Sequence, residues 1–188
     1  MSATAASQPF ACEVAGLLPS AAIPAATMNL TLLKKSAAAL AVALLTSAFA
    51  LAAPYEIGQR VEAFQAKDQH ETPFTLKPAE TRFLLVSHDM ETGKKANAVL
   101  TALGKEYLPA KKAVYLANIF GMPGIGRFFA LPKMKKYAHP IILGDDEALI
   151  ARFPQQPGKV TVLALADGKL QSVTYWTPGT DDLAGYLK

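Results

Sequence analysis

The middle of the chain alternates between two hydrophobic patterns, and this alternation most constrains the fold. Residues 83–86 and 112–119 are short, nearly continuous apolar runs, typical of strands covered on both faces. Helical spacing follows each run. The first helix is predicted to extend to Pro109, and the second to enter through Pro123 and to be interrupted by Pro132. Strands that alternate with helices predict a parallel core sheet with helices on both faces.

Further strand patterns surround this unit. A third core strand is predicted over residues 140–143, before a short helical turn. Residues 61–76 alternate around the polar turn DQHETP, and residues 160–176 form two β-rich runs around Asp167-Gly168, a strong turn signal. A closing helix is predicted with Thr180 as its N-cap. The expected fold class is α/β, with a central mixed sheet, helices on both faces and an N-terminal β-hairpin.

The N-terminal part has the layout of a secretory signal peptide. After Met28 come two lysines, an uncharged run rich in Ala and Leu, and the small-x-small pattern Ala50-Leu51-Ala52. A membrane anchor is the alternative, but the run is short for a span, which needs about 20 apolar residues. We expect residues 1–27 to be a mis-called start or a disordered extension, 28–52 a cleaved signal peptide, and 53–188 one domain. Such a protein is exported to the periplasm of a Gram-negative type envelope.

The cysteine content excludes several kinds of chemistry from the expected domain. The chain has one cysteine, Cys12, which lies ahead of the expected cleavage site. Residues 53–188 therefore contain no thiol for a disulfide, a cysteine nucleophile, a zinc-thiolate site or an iron–sulfur cluster. The net charge of +4 is mild and scattered, so no nucleic-acid partner is expected.

Three local sequences carry a resemblance to a known fold. The segments FQAKDQHETPFTL, VTVLALADGKLQSV and GTDDLAGYLK are similar, in that order, to the opening, the late hairpin and the closing helix of thioredoxin-like proteins. The likeness is to the exported variant seen in peroxiredoxin-like and thiol-reductase relatives. The opening YEIGQRV also resembles the YtfJ-type group of exported thioredoxin-like proteins that lack a Cys-x-x-Cys pair. The resemblance implies a thioredoxin-like fold over residues 55–188.

The redox signatures of that fold are missing. Active relatives carry a Cys-x-x-Cys motif or a peroxidatic cysteine where the first core strand meets its helix, and this chain has residues 87–91, SHDME, there. Those relatives also place a cis-proline directly before the late hairpin. The corresponding position lies near Lys159, and Pro157 comes two residues early. No thiol–disulfide or peroxidase activity is therefore expected.

The first candidate site consists of Ser87, His88 and Asp89. These residues follow the first buried strand, and α/β folds bind ligands at the carboxyl ends of parallel strands. Because adjacent residues do not converge as a catalytic triad must, we do not interpret them as a nucleophile and its base. The simpler interpretation is a loop in which Asp or Ser caps the following helix and the histidine is exposed, and the functional alternative is a ligand-binding loop.

The second candidate site is the loop Phe120, Gly121, Met122 and Pro123. Its glycines continue as G-x-x-G-x-G, whereas the dinucleotide fingerprint is G-x-G-x-x-G. No cofactor is therefore expected, and a bound flavin or nicotinamide remains the alternative. The three histidines, at positions 70, 88 and 139, show no metal-ligand spacing and are predicted to be isolated on the surface, so no metal is expected.

The aromatic and basic residues of the mid-chain are interpreted as structural rather than functional. Phe128 and Phe129 are predicted to pack in the core or at an edge. The lysines of PKMKKY predict a solvated face, with phospholipid heads or an acidic protein as the alternative partner. No catalytic residue is assigned.

The leading functional hypothesis is a non-enzymatic module that binds a periplasmic protein partner or a small ligand, with no stable membrane span after signal cleavage. An oxidoreductase with a bound cofactor is the second hypothesis, and a structural role in an envelope complex is the third.

Overall fold

A computed structural model describes residues 53–188. The expected N-terminal extension, the signal peptide and Cys12 lie outside these residues. Within the described part, no helix combines the length and the apolar character needed to cross a membrane.

Seven strands form one mixed sheet in the order β2-β1-β5-β4-β3-β6-β7. Strand β3 is parallel to β4, and β4 is parallel to β5, whereas the remaining neighbours are antiparallel. Both predicted hairpins are present, β1–β2 at the start and β6–β7 around Asp167-Gly168. The strands are β1 Gln65–Asp68, β2 Pro73–Thr75, β3 Phe83–Ser87, β4 Ala113–Asn118, β5 Ile142–Gly144, β6 Val160–Ala166 and β7 Lys169–Trp176.

The described residues also form four α-helices and one 3-10 turn: α1 Met90–Leu103, α2 Tyr107–Ala110, α3 Gly124–Met134, α4 Glu147–Ala151 and the turn Leu183–Gly185. The first helix ends before Gly104, not at Pro109 as predicted. Gly104 has φ +87°, which glycine adopts readily, and its N–H bonds the carbonyls of Leu100 and Thr101. Pro109 lies inside the separate helix α2.

Two further helix predictions are corrected. Pro132 lies inside α3 without interrupting it, and the helix ends at Met134. The closing helix is only a 3-10 turn, and its cap is Asp182 rather than Thr180. The carboxylate of Asp181, just before the turn, accepts hydrogen bonds from the backbone N–H of Thr177 and from the hydroxyl of Tyr186. These two bonds fold the chain back ahead of the 3-10 turn.

The core occupies both faces of the sheet because side chains of β3 alternate between them. Phe83 and Leu85 pack in one cluster that also contains Leu100 of α1 and Met134 of α3. Leu84 and Val86 pack in a second cluster on the other face, with contributions from α4 and from the N-terminal segment. Full burial of one such side chain contributes about 1.5–3 kcal/mol. The described residues thus carry two cores of their own, and helices cover both faces as predicted.

The two phenylalanines of helix α3 lie on its solvent-exposed side, and the opposite side of the helix packs against the sheet. Leu131 and Met134 pack in the core cluster on that side of the sheet, whereas Phe128 and Phe129 are exposed to solvent. The prediction of core or edge packing for these two phenylalanines is therefore wrong.

The strand order explains the resemblance found in the sequence. Strand β3, helix α1 and the parallel strand β4 form one unit, and the antiparallel hairpin β6–β7 joins the other edge of β3. This is the arrangement of the thioredoxin-like fold. The hairpin β1–β2 extends the sheet through β5, as expected for the variant with an N-terminal hairpin.

Candidate binding site

A cleft of about 290 Å³ opens between α1 and α3, where strands β3 and β4 end. The two strands are parallel and in register up to Ser87 and Ala117, so their carboxyl ends meet at one edge of the sheet. This is the edge at which α/β folds bind ligands. We call it the α1–α3 cleft. Its lining residues are Ser87, Asp89, Met90, Gly93, Lys94, Asn97, Ala117, Asn118, Ile119, Met122, Gly126, Phe129, Ala130, Lys133, Met134 and Tyr137.

The wall of the cleft is rich in flexible apolar side chains. Met90, Met122 and Met134 all line it, and they are the three methionines of the described part of the chain. Phe129 and Tyr137 add aromatic surface. Methionine is unbranched and polarisable, so a wall of this kind adapts its shape to an apolar group.

One polar pair at the base of the cleft is satisfied internally. The Ser87 hydroxyl lies 2.9 Å from the hydroxyl of Tyr115, and both residues are buried. Burial raises the pKa of Tyr115 above its ordinary value, and the hydrogen bond with Ser87 only partly opposes this. Tyr115 is therefore neutral near pH 7, and either hydroxyl of the pair can donate to the other.

A second polar pair lies nearby. His139 is 0% exposed, and its Nε2 lies 2.9 Å from Oδ1 of Asn97, which lines the cleft. Burial lowers the pKa of His139 to about 4, so the ring is neutral near pH 7 and donates through Nε2. Its Nδ1 has no hydrogen-bond partner among the described residues. The prediction of a surface histidine is therefore wrong at position 139.

Asp89 acts as a helix cap. Its carboxylate accepts hydrogen bonds from the backbone N–H of Thr92 at 2.8 Å and from the Thr92 hydroxyl at 2.7 Å. Partial burial alone would raise the pKa of Asp89, but the hydrogen bonds from Thr92 outweigh it and hold the pKa below its ordinary value. Asp89 thus satisfies the start of α1 through both the backbone and the side chain of Thr92.

His88 does not itself line the cleft. Its Nε2 lies 3.4 Å from the hydroxyl of Thr161 on β6, and its backbone carbonyl accepts from Asn118. Burial lowers the pKa of His88, against the opposing influence of the Pro154 carbonyl and the Asp89 carboxylate. Because Ser87, His88 and Asp89 bond three different partners, they do not form a nucleophile–base pair.

The other redox position also lacks its family residue. Ser87 pairs with Val160, the first residue of β6, and Lys159 precedes it directly. Pro157 lies outside the strand, in the turn before it.

The second predicted segment is divided between two surfaces. Met122 lines the cleft, whereas Phe120 lies in a shallow depression with Phe153 and Pro154. Gly121 has φ +73°, which suits the turn after β4, and Pro123 precedes the first residue of α3. Ser87, Asp89 and Met122 are thus the predicted site residues that the fold brings to one cleft.

Arg127 fixes this loop, and the sequence pattern did not reveal it. Its guanidinium donates to the backbone carbonyls of Ile119 and Met122, each at 3.1 Å, and pairs with the carboxylate of Asp145. The arginine therefore holds one wall of the cleft against the end of β5. The partners are 18 residues apart, and no local motif connects them.

The glycines of this loop do not form an open cradle for a dinucleotide. A Cβ at Gly126 would lie 3.2 Å from Cγ of Met122, so the space beside this glycine is already filled. The alternative of a bound flavin or nicotinamide gains no support from this geometry. Among the described residues, no three His, Cys, Asp or Glu side chains lie together as metal ligands.

Comparisons with known proteins find solved structures that are similar at low sequence identity. No protein-family model and no curated protein matches the chain. A peroxiredoxin-like protein from Aquifex aeolicus is similar at 9% identity over 73% of this chain and 88% of that chain, with a TM-score of 0.49. A thio-disulfide isomerase from Thermus thermophilus is similar at 19% identity over 71% and 95% of the two chains, with a TM-score of 0.45. On its strand order and pairing, the domain has a thioredoxin-like fold without the redox cysteines.

Proposed function

We propose that this protein is a non-enzymatic, exported member of the YtfJ-type group whose thioredoxin-like domain binds an apolar group in the α1–α3 cleft. The group belongs to a small periplasmic ligand or to a side chain of a periplasmic protein partner. The observation that carries the proposal is the cleft itself, with its methionine-rich wall at the carboxyl ends of β3 and β4.

The polar residues of the cleft suit binding better than chemistry. Residues 53–188 contain no thiol, and Asp89 already satisfies the start of α1. Ser87, the hydroxyl at the base of the cleft, bonds the neutral hydroxyl of Tyr115 rather than a general base. These contacts position donors and acceptors without activating any of them.

The lining also limits the class of ligand. The wall accepts an apolar body of varied shape, while Ser87 and Asn97 offer a hydroxyl and an amide at the base. Lys94 and Lys133 line the cleft from opposite helices, and both are exposed. An apolar body with one polar or anionic group fits this set best.

Photo-crosslinking in the producing cell tests this proposal. Benzoylphenylalanine replaces Met90, which lines the cleft, or Leu103, an exposed apolar residue at the other end of α1 that does not. We expect a discrete adduct from position 90 that position 103 does not give. Identical adducts from both positions, or none from position 90, would contradict a cleft-specific ligand.

Two further measurements test the proposed export and the proposed lack of enzymatic activity. Cell fractionation with intact-mass analysis is expected to find a periplasmic protein that begins at Ala53, and a full-length cytoplasmic product would contradict export. Insulin-reduction and peroxide assays are expected to show no turnover, and turnover by the chain from Ala53 onward would overturn the non-enzymatic assignment.

A further inference from the structure

Helix α3 presents an apolar face to solvent. Ile125 and Phe128 are each 74% exposed, and Phe129 is 60% exposed. The spacing i, i+3, i+4 places the three side chains on one side of the helix. The rings of Phe128 and Phe129 contact edge to face, with centroids 5.3 Å apart, so the apolar surface is continuous. We call these three residues the outer face of α3. Exposed clusters of this kind mark interaction sites.

The charged residues in the segment that contains this face are all basic. Residues 120–144 contain four basic residues and no acidic one. Arg127 is paired with Asp145, and Lys135 with Glu71. Lys133 and Lys136, at the carboxyl end of α3 and just beyond it, are exposed and have no ion-pair partner among the described residues. Two unpaired cations therefore lie next to the apolar surface.

We propose that the outer face of α3 docks the domain on an anionic phospholipid membrane. The helix lies in the plane of the interface with Ile125, Phe128 and Phe129 at the boundary between headgroups and acyl chains. Lys133 and Lys136 contact lipid phosphates, to which an anionic surface adds a favourable potential. A second copy of this chain is a poorer occupant, because a two-fold contact through the same face brings its lysines toward their own copies.

This face is distinct from the proposed ligand site. Ile125, Phe128 and Lys136 do not line the α1–α3 cleft, whereas Phe129 and Lys133 do. Substitutions at positions 125 and 128 therefore change the outer face and leave the cleft lining intact. Membrane docking and cleft binding can fail independently of each other.

Vesicle binding of the chain from Ala53 to Lys188 tests the proposal. The probes are phosphatidylcholine vesicles with and without phosphatidylglycerol, and binding is measured by co-sedimentation at low and high salt. We expect binding to the anionic vesicles that weakens with salt. The double variant Ile125→Ser/Phe128→Ser is expected to lose at least about tenfold in affinity. Lys133→Gln/Lys136→Gln is expected to lose about fivefold for each lysine.

Matched control variants distinguish an effect of the outer face of α3 from a general effect of removing an exposed apolar side chain or two lysines. Ile57→Ser removes an apolar side chain that is 70% exposed in the N-terminal segment, and Lys111→Gln/Lys112→Gln removes two charges elsewhere. Both are expected to bind vesicles like the unaltered chain. Phe128→Trp adds a second reporter, since its emission shifts to the blue on insertion while the buried Trp176 does not move.

Three outcomes with the purified chain alone would overturn the proposal. They are equal binding to both kinds of vesicle, full binding by the Ile125→Ser/Phe128→Ser variant, and no vesicle binding combined with a self-association that this variant abolishes. The last result assigns the face to a second copy of the chain. Capture of an acidic periplasmic protein through this face, without vesicle binding, assigns it to a protein partner and equally overturns membrane docking.

Discussion

Burial of His139 makes the domain less stable in mild acid. The ring is fully buried, and its pKa is about 4, compared with an ordinary value of 6.5. Between these two values the unfolded chain binds a proton that the folded chain does not, so protonation favours unfolding. The contribution of the neutral ring is complete above about pH 6.5 and is lost as the pH falls from there to about 4.

The size of the effect follows from the same two values. A tenfold difference in proton affinity corresponds to about 1.4 kcal/mol, so the free energy of unfolding falls by about 3 kcal/mol across this range. His88 adds a smaller loss of the same sign, because burial also lowers its pKa. The carboxylates of Asp89, Asp145 and Asp181 have lowered pKa values and lose their contributions only at still lower pH. For a domain of this size, about 3 kcal/mol is a large share of the total stability.

Urea unfolding at a series of pH values between about 7 and about 4.5 measures this dependence. His139→Gln is the informative variant, since it keeps a donor for Asn97 but cannot bind a proton. We expect the unaltered chain and a His70→Ala control to lose stability steeply, and His139→Gln to lose much less. Parallel curves for the unaltered chain and His139→Gln would refute the assignment of this pH dependence to His139.

Three further substitutions test the contacts around the cleft and the sheet. Tyr115→Phe leaves the buried Ser87 hydroxyl without its partner and should lower the free energy of unfolding by about 1–3 kcal/mol; Ser87→Ala combined with Tyr115→Phe should recover part of this loss, and an unchanged melting temperature for Tyr115→Phe would contradict it. Asp89→Ala removes the cap of α1 and should cost about 1 kcal/mol, with Asp89→Asn costing less, as measured by urea unfolding. Gly144→Ala places a Cβ 2.6 Å from Cδ1 of Ile150 and should cost about 1–3 kcal/mol, which Ile150→Val should partly restore.

The fold could be predicted because its signals are local. The apolar run of β3 and the turn Asp167-Gly168 each specify their element through neighbouring residues. Helix ends were less accurate, since Gly104 rather than Pro109 ends α1. Gly104 is itself a helix stop signal, but the helical spacing of apolar residues continues to Leu108. The sequence pattern therefore does not show that the helix ends at this glycine.

The sequence indicates which loops contribute to the candidate site, but not the long-range contacts within it. The loops after β3 and β4 place Ser87, Asp89 and Met122 in the lining of one cleft, and a binding role for these residues stays a prediction. The pairing of Asn97 with His139 spans 42 residues and depends on how α1 packs, so no local pattern contains it. The prediction that Phe128 and Phe129 pack in the core or at an edge is wrong because hydrophobicity alone does not say which side of α3 faces the sheet.

Chemical-shift mapping of the domain with anilinonaphthalenesulfonate, an apolar body with one anionic group, tests the central claim most directly. We expect the amide signals of Gly93 and Asn97, which line the α1–α3 cleft, to shift on titration. Ala130→Trp fills the cleft and should abolish these shifts, whereas Ala98→Trp, an exposed position on α1 outside the cleft, should leave them unchanged. Unshifted signals at Gly93 and Asn97, or shifts that persist in a folded Ala130→Trp variant, would contradict a binding function for this cleft.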